Sequence, residues 1–232
     1  VTIGHLTRLE PVDTRAAAAI SLRTVTRLFD GLPAISQITL DVAPGETVWL
    51  QGSNGSGKST LLRVVATALS TTYGSGTILG HDLHTGRAQI RRRSDFLGHS
   101  SRLYEDLTAV ENLRFVCRMH DADHHGIGAA LQRVGLDEVA QIRTGSFSQG
   151  MRQRLALARC ILRRPELVLL DEPYAGLDAD SRIVVNDLLE DTRRRGGTVL
   201  LASHEAPPAT LVDRSFTLDS GRIVPTAEIA SQ

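Results

Sequence analysis

The sequence has no apolar run approaching the roughly 18 to 20 residues that a membrane-crossing helix needs, so nothing in its 232 residues reads as a bilayer span. It has only two cysteines, Cys117 and Cys160. Both lie in segments that read as helices, without the spacing of a metal-ligand pair or a disulfide framework, and a reducing, cytosolic setting is expected. It has no excess of charge: 26 Lys plus Arg balance 26 Asp plus Glu. That balance offers no basic field for nucleic acid and no acidic tail, so no nucleic-acid partner is expected and partners must be sought in local sites. The opening VTIGHLTRLEPVDTRAAAAI lacks the apolar core of a signal peptide, holding only five apolar residues in a row behind acids and a proline. Residues 1–20 are expected to form a poorly ordered extension.

What is present is an ordinary apolar fraction, 41%, enough to bury the core of one large domain or of a core with an inserted subdomain. The most informative stretch is ETVWLQGSNGSGKSTLLRVVATAL, residues 46–69. An apolar strand leads into a glycine-rich turn, and apolar residues at helical spacing follow. Gly52, Gly57, Lys58 and Ser59 satisfy G-x-x-x-x-G-K-[ST] without a mismatch and in the required strand, loop, helix order. Glycines at 52, 55 and 57 let consecutive backbone N–H groups point inward at an anion. The helix beginning near Lys58 adds its positive end to the same spot. Residues Gly52, Ser53, Asn54, Gly55, Ser56, Gly57, Lys58, Ser59 and Thr60 are therefore assigned to ATP, with Lys58 reaching the β- and γ-phosphates and the Ser59 hydroxyl ligating Mg²⁺.

A second signal is LVLLDEP, residues 167–173. Four apolar residues without alternation describe a strand buried on both faces of a parallel sheet. The acids then sit at its carboxyl end, where open α/β sheets bind ligands. Asp171 is assigned to Mg²⁺, and Glu172 is placed to orient or deprotonate an attacking water. Another buried strand, within GGTVLLASHE, ends at Ser203 and His204, and the His204 imidazole is placed to contact a γ-phosphate. Well over about a hundred residues separate the glycine-rich loop from Asp171, more than one or two strand and helix crossovers require. An insert is expected, and between His99 and Pro165 the pattern is largely helical. Its last helix starts at Ser148, a good N-cap, and ends before Pro165.

Ser148-Gln149-Gly150-Met151-Arg152, with LALARCILRRPELVLLDEP following, stands where ATP-binding subunits of ABC transporters carry S-G-G-Q. The chain resembles that family from residue 20 to about 225. Gln149 and Met151 depart from the commonest form, whereas the Ser and the second Gly remain. The resemblance implies an α/β fold, a P-loop NTPase (RecA-like) core with an antiparallel β subdomain and an inserted α-helical subdomain. Residues 21–98 and 165–232 would form the core, and 99–164 the helical subdomain. It implies that Ser148, Gln149 and Gly150 face the ATP of an opposite subunit, so that two ATP-binding subunits close head-to-tail. Phe29 matches the aromatic that stacks on adenine, Asp178 the acid that couples the two sites, and His204 the switch histidine. His99 stands where most members have a glutamine that touches Mg²⁺ and the water. A neutral imidazole can accept a hydrogen bond from metal-bound water, though it cannot mimic an amide.

Gly98-His99, followed by Leu107-Thr108-Ala109-Val110-Glu111-Asn112-Leu113, is similar to the ATPase subunit of the haem exporter of cytochrome c maturation. The resemblance thus implies an ATPase with Mg²⁺, peripheral on the cytoplasmic face of the cell membrane, driving a separate transmembrane permease whose short helices would meet the surface that includes Leu103 and Tyr104. An exporter of drugs, polysaccharide or lipid is the alternative within the class; a soluble relative acting on ribosomes or DNA is the alternative outside it. Residues 120–125, HDADHH, offer metal-ligating types but read as a solvated loop, and the runs Arg91–Arg93 and Arg193–Arg195 read as water-facing helix ends.

Overall fold

The computed structural model describes residues 18–98, 103–120 and 123–224. The chain alternates strands and helices in the order β1 (Ile20–Phe29), β2 (Leu32–Val42), β3 (Thr47–Gln51), α1 (Lys58–Val65), β4 (Tyr73–Ile78), β5 (His81–Asp82), α2 (Arg87–Arg93) and β6 (Ser94–Leu97). Three helices follow, α3 (Ala109–His120), α4 (Ile127–Arg133) and α5 (Gln149–Arg163), and then β7 (Leu167–Asp171), α6 (Ala179–Arg194), β8 (Thr198–Ala202), β9 (Arg214–Asp219) and β10 (Arg222–Val224). Two sheets result. One is antiparallel, in the order β2-β1-β4-β5, and the other runs β10-β9-β3-β8-β7-β6 with only β10 antiparallel. Ala19 and Ile20, the last residues of the segment read as an extension, are already buried. Ile20 pairs with Val42 and Ile78, because a β-branched side chain after the alanines suits a strand covered on its inner face.

β7 and β8 are buried at every position, and their alternate side chains enter different cores. Leu167, Leu169 and Leu200 join α1 and the antiparallel sheet, whereas Val168, Leu170, Val199 and Leu201 join α5, α6 and the helices of the insert. This is why LVLL and TVLL show no polar alternation: no face of these strands meets water. Parallel neighbours also share a direction, so β3, β8 and β7 deliver their carboxyl ends side by side, with Leu50 opposite Ala202 and Ala202 opposite Asp171.

The arginine runs close α2 and α6 with Arg91, Arg92, Arg193 and Arg194 exposed, as expected of solvated ends, but several of them also bind neighbouring loops. Arg91 donates to the Thr67 hydroxyl and carbonyl at 2.9 and 2.8 Å. Arg93 grips Glu166, Arg193 donates to the Thr210 carbonyl at 2.6 Å, and Arg195 donates to the Pro165 carbonyl at 3.2 Å. A helix C-terminus brings these side chains beside carbonyls of neighbouring loops, which a five-donor fork can satisfy. Asp123, His124 and His125 lie on the connection between α3 and α4, exposed, with His125 Nδ1 2.8 Å from Asp123 Oδ1.

Candidate active site

The loop after β3 takes a path that only glycine permits at two points. Gly52 has φ +144°, and a Cβ there would stand 2.2 Å from the Leu218 carbonyl oxygen; Gly57 has φ +106°, and its Cβ would stand 2.5 Å from that of Ala34. Both contacts are with backbone, so neither can yield cheaply. α1 then begins at Lys58 with no side chain capping its first N–H groups and no acid in its first turn. Those donors and the positive end of the helix are left to whatever occupies the loop.

Lys58 is only 6% exposed. Its ammonium donates to the carbonyls of Gly52 at 2.8 Å and Ser53 at 3.0 Å, and lies 3.8 Å from Glu172 Oε1. Ser59 donates from its hydroxyl to Asp171 Oδ1 at 2.8 Å, across the gap between α1 and β7. These two side chains present oxygen donors only, a hydroxyl beside a carboxylate, which is a donor set suited to Mg²⁺ rather than to a softer metal. The residues fit that ion.

Glu172 follows β7 directly. Its backbone has φ +52°, a left-handed conformation that costs a non-glycine residue about 1–2 kcal/mol, and its N–H donates to the Ala202 carbonyl at 2.7 Å. The side chain is held from the β8 side: the His204 backbone N–H donates to Glu172 Oε2 at 3.0 Å, and His204 Nε2 lies 3.7 Å from Oε1. The same Nε2 is 2.5 Å from Asn54 Oδ1. Since that oxygen can only accept, Nε2 is the donor in this contact. Trp49 locks the turn below, donating from its indole to the Ser203 carbonyl at 3.1 Å.

A cleft of about 590 Å³ opens from Asp171 and Glu172 toward α5, and Gln149, Gly150 and Gln153 line its far wall. Ser148 caps α5, its Oγ accepting from the Met151 N–H at 3.2 Å, and Gln153 donates to the Pro173 carbonyl at 2.9 Å. Asp178 caps α6 by accepting from the Ser181 N–H at 2.8 Å. The Ser181 side chain and backbone together hold the Asp178 carboxyl below the usual carboxylate range. Phe29 ends β1, exposed, with the Arg27 guanidinium 4.7 Å from its ring centroid. The structure thus brings Gly52 to Thr60, Asp171, Glu172 and His204 into one site, with Gln149 and Gly150 across the adjacent cleft. His99 lies outside the described residues. Gln153, which ties the signature helix to the acidic loop, escaped the sequence reading; its only signal is its place one turn into α5.

A family model described as "ABC transporter" matches residues 35–175, more than half of the chain. The chain belongs to that family. Among curated relatives, the cytochrome c biogenesis ATP-binding export protein CcmA of Xanthomonas oryzae pv. oryzae is 39% identical over 190 residues, covering 81% of this chain and 88% of its own. The ABC transporter ATP-binding protein NatA of Bacillus subtilis is 33% identical over 197 residues, covering 82% and 80%. Among solved structures, the ATP-binding cassette MJ0796, dimeric in a post-hydrolysis state with ADP and Pi, superposes with a TM-score of 0.80 at 25% identity, covering 88% of this chain and 96% of that one. This ABC ATPase therefore binds and hydrolyses ATP on a P-loop NTPase fold. No helix among its described residues is long and apolar enough to cross a membrane.

Proposed function

We propose that this ABC ATPase drives a separate transmembrane permease in haem export for cytochrome c maturation, working as a head-to-tail pair of ATP-binding subunits on the cytoplasmic face of the membrane. The observation that carries the reading is the 39% identity with a cytochrome c biogenesis export protein over 81% of the chain. The Gly98-His99 pair and the LTAVENL stretch agree with it. A second reading, another ABC transporter with the same ATPase, is supported by the likeness to the ABC transporter ATP-binding protein NatA.

In either reading the chemistry belongs to the chain's own residues. The N–H groups of the glycine-rich loop and the start of α1 bind the phosphates, and the Lys58 ammonium, released from the Gly52 and Ser53 carbonyls, reaches the terminal one. Ser59 and Asp171 would hold Mg²⁺, which when bound neutralises charge on the β- and γ-phosphate oxygens. Glu172, fixed by the His204 N–H, orients the water and takes its proton as the bond from the water oxygen to the γ-phosphorus forms and the bond from that phosphorus to the β–γ bridging oxygen breaks, ADP leaving with the electron pair. His204, displaced from Asn54, donates to the transferred phosphoryl oxygens. Ser148, Gln149 and Gly150 present the start of α5 to the nucleotide of the partner subunit, and Asp178 joins the two sites at their boundary. Phe29 packs against the adenine.

The reading is tested by expressing the full chain, tagged, with its genomic neighbours and isolating it from detergent-solubilised membranes. Co-isolation of a haem-handling permease is expected. Co-isolation of an unrelated permease favours the second reading, and recovery without any membrane protein overturns both.

A further inference from the structure

α6 and the turn after β8 are joined by a contact that no part of the hydrolysis scheme uses. Arg182, on the first turn of α6, directs both terminal nitrogens of its guanidinium at the Glu205 carboxylate, Nη2 at 3.0 Å. Its Nε donates to the Leu177 carbonyl at 3.4 Å, and its guanidinium carbon lies 6.0 Å from the centroid of the buried Tyr174 ring. Tyr174 is itself pinned, its hydroxyl donating to Asn186 Oδ1 at 2.8 Å, and burial raises its pKa to about 12, so it stays an uncharged platform. One planar side chain thus touches three segments: the loop leading to Asp178, the first turns of α6, and the residue after His204.

Neighbouring contacts tell what that fork holds in place. Glu205 also donates its N–H to Ser203 Oγ at 3.1 Å, so residues 203–205 form one tight turn. The middle residue of that turn supplies the N–H on Glu172 Oε2 and the ring on Asn54. The Arg182 and Glu205 side chains are 40% and 50% exposed, and exposed ion pairs contribute little to global stability. A bidentate fork does, however, restrict orientation, which a lysine at the same place could not.

We propose that Arg182 is a positioning residue for ATP hydrolysis, holding the His204–Glu205 turn against the loop that ends at Asp178. Movement of that loop when two subunits close is thereby transmitted to the N–H that fixes Glu172. The proposal rests on the reading of Glu172 and His204 as hydrolytic residues.

The test is steady-state hydrolysis by the full chain, with ATP affinity and thermal unfolding measured in parallel. Arg182→Ala and Glu205→Ala should each lower kcat about fivefold while the Kd for ATP and the melting temperature hold, because the lost contact acts on the transition state alone. The double variant should be no slower than either single one, since the two side chains act as a unit. If Arg182→Ala is poorly folded, Arg182→Lys is read in its place and should also be slow, because it keeps the charge and loses the fork. A kcat within about twofold of the parent in the single variants, or losses that multiply in the double one, would each overturn the proposal. Glu172→Gln measured alongside separates the two claims: turnover there defeats the reading of Glu172, whereas its absence with unaffected Arg182 variants defeats only the role of Arg182.

Discussion

At the scale of the residue, Glu172 concentrates the site's unusual features: a left-handed backbone, a carboxylate held by a main-chain N–H from another strand, and Lys58 at 3.8 Å. Strain of this kind persists only where surrounding structure enforces it, here the bond from its own N–H to the Ala202 carbonyl. Glu172→Gln keeps the shape and the acceptor for His204 but removes the base. Turnover should fall at least about a hundredfold, with ATP affinity little changed. Phosphate release and equilibrium binding of a fluorescent ATP analogue report the two separately, and near-normal release would remove Glu172 from its role. The acid itself stands out in LVLLDEP, since a charge after four buried residues has few bland explanations beside a phosphate loop. Its partner N–H from His204 does not, because His204 lies 32 positions further along the chain.

At the scale of the element, the insert is anchored by charge as well as by packing. Asp95 on β6 is buried and meets Arg159 and Arg163, one turn apart on the same face of α5, each at 3.1 Å. Burial alone would push the Asp95 carboxyl up, but the two guanidiniums outweigh it, and its pKa lies below the ordinary value. Removing the charge leaves two buried cations with one partner fewer, so Asp95→Asn should cost about 3–5 kcal/mol at neutral pH. The sign of the pH dependence follows from the lowered native pKa. The contribution is complete above the unfolded value of about 4 and is lost as pH falls through the lower native one. Urea unfolding of parent and variant should show a constant gap from about pH 7 to 5 that closes only in stronger acid. A gap that closed near pH 6 would mean that Asp95 is not the titrating group. The helices themselves were legible: the Ser148 cap and the stop before Pro165 match α5, Gln149–Arg163. What those helices lean on was not, since Asp95 reads in sequence as one more polar residue at a strand start.

At the scale of the whole molecule, the free end of α5 has a meaning only if something faces it. Within one chain, Gln149 and Gly150 look into the cleft that leads to Glu172, and the dimeric cassette MJ0796 shows that a similar fold pairs. A head-to-tail pair should be trapped when ATP binds and hydrolysis is blocked. In the Glu172→Gln background, ATP should shift the chain from monomer to dimer by light scattering, and adding Ser148→Ala should abolish the shift. Loss of the cap alone costs about 1 kcal/mol, too little to unfold the helix, so a folded double variant that still dimerises would exclude Ser148 from the interface.

The sequence by itself determined the local chemistry: a glycine-rich turn, a cationic residue at a helix start, acids at the end of a doubly buried strand, and a capped signature helix. These are properties of neighbouring residues, so spacing and side-chain type suffice to read them. Only the tertiary structure decided the pairings. His204 meets Asn54 across 150 positions, Asp95 meets Arg159 across 64, and Arg182 meets Glu205 across 23. Each depends on the order β9-β3-β8-β7-β6 and on its register. Buried apolar runs are interchangeable in a parallel sheet, and the pattern within each strand carries no record of which neighbour it will take.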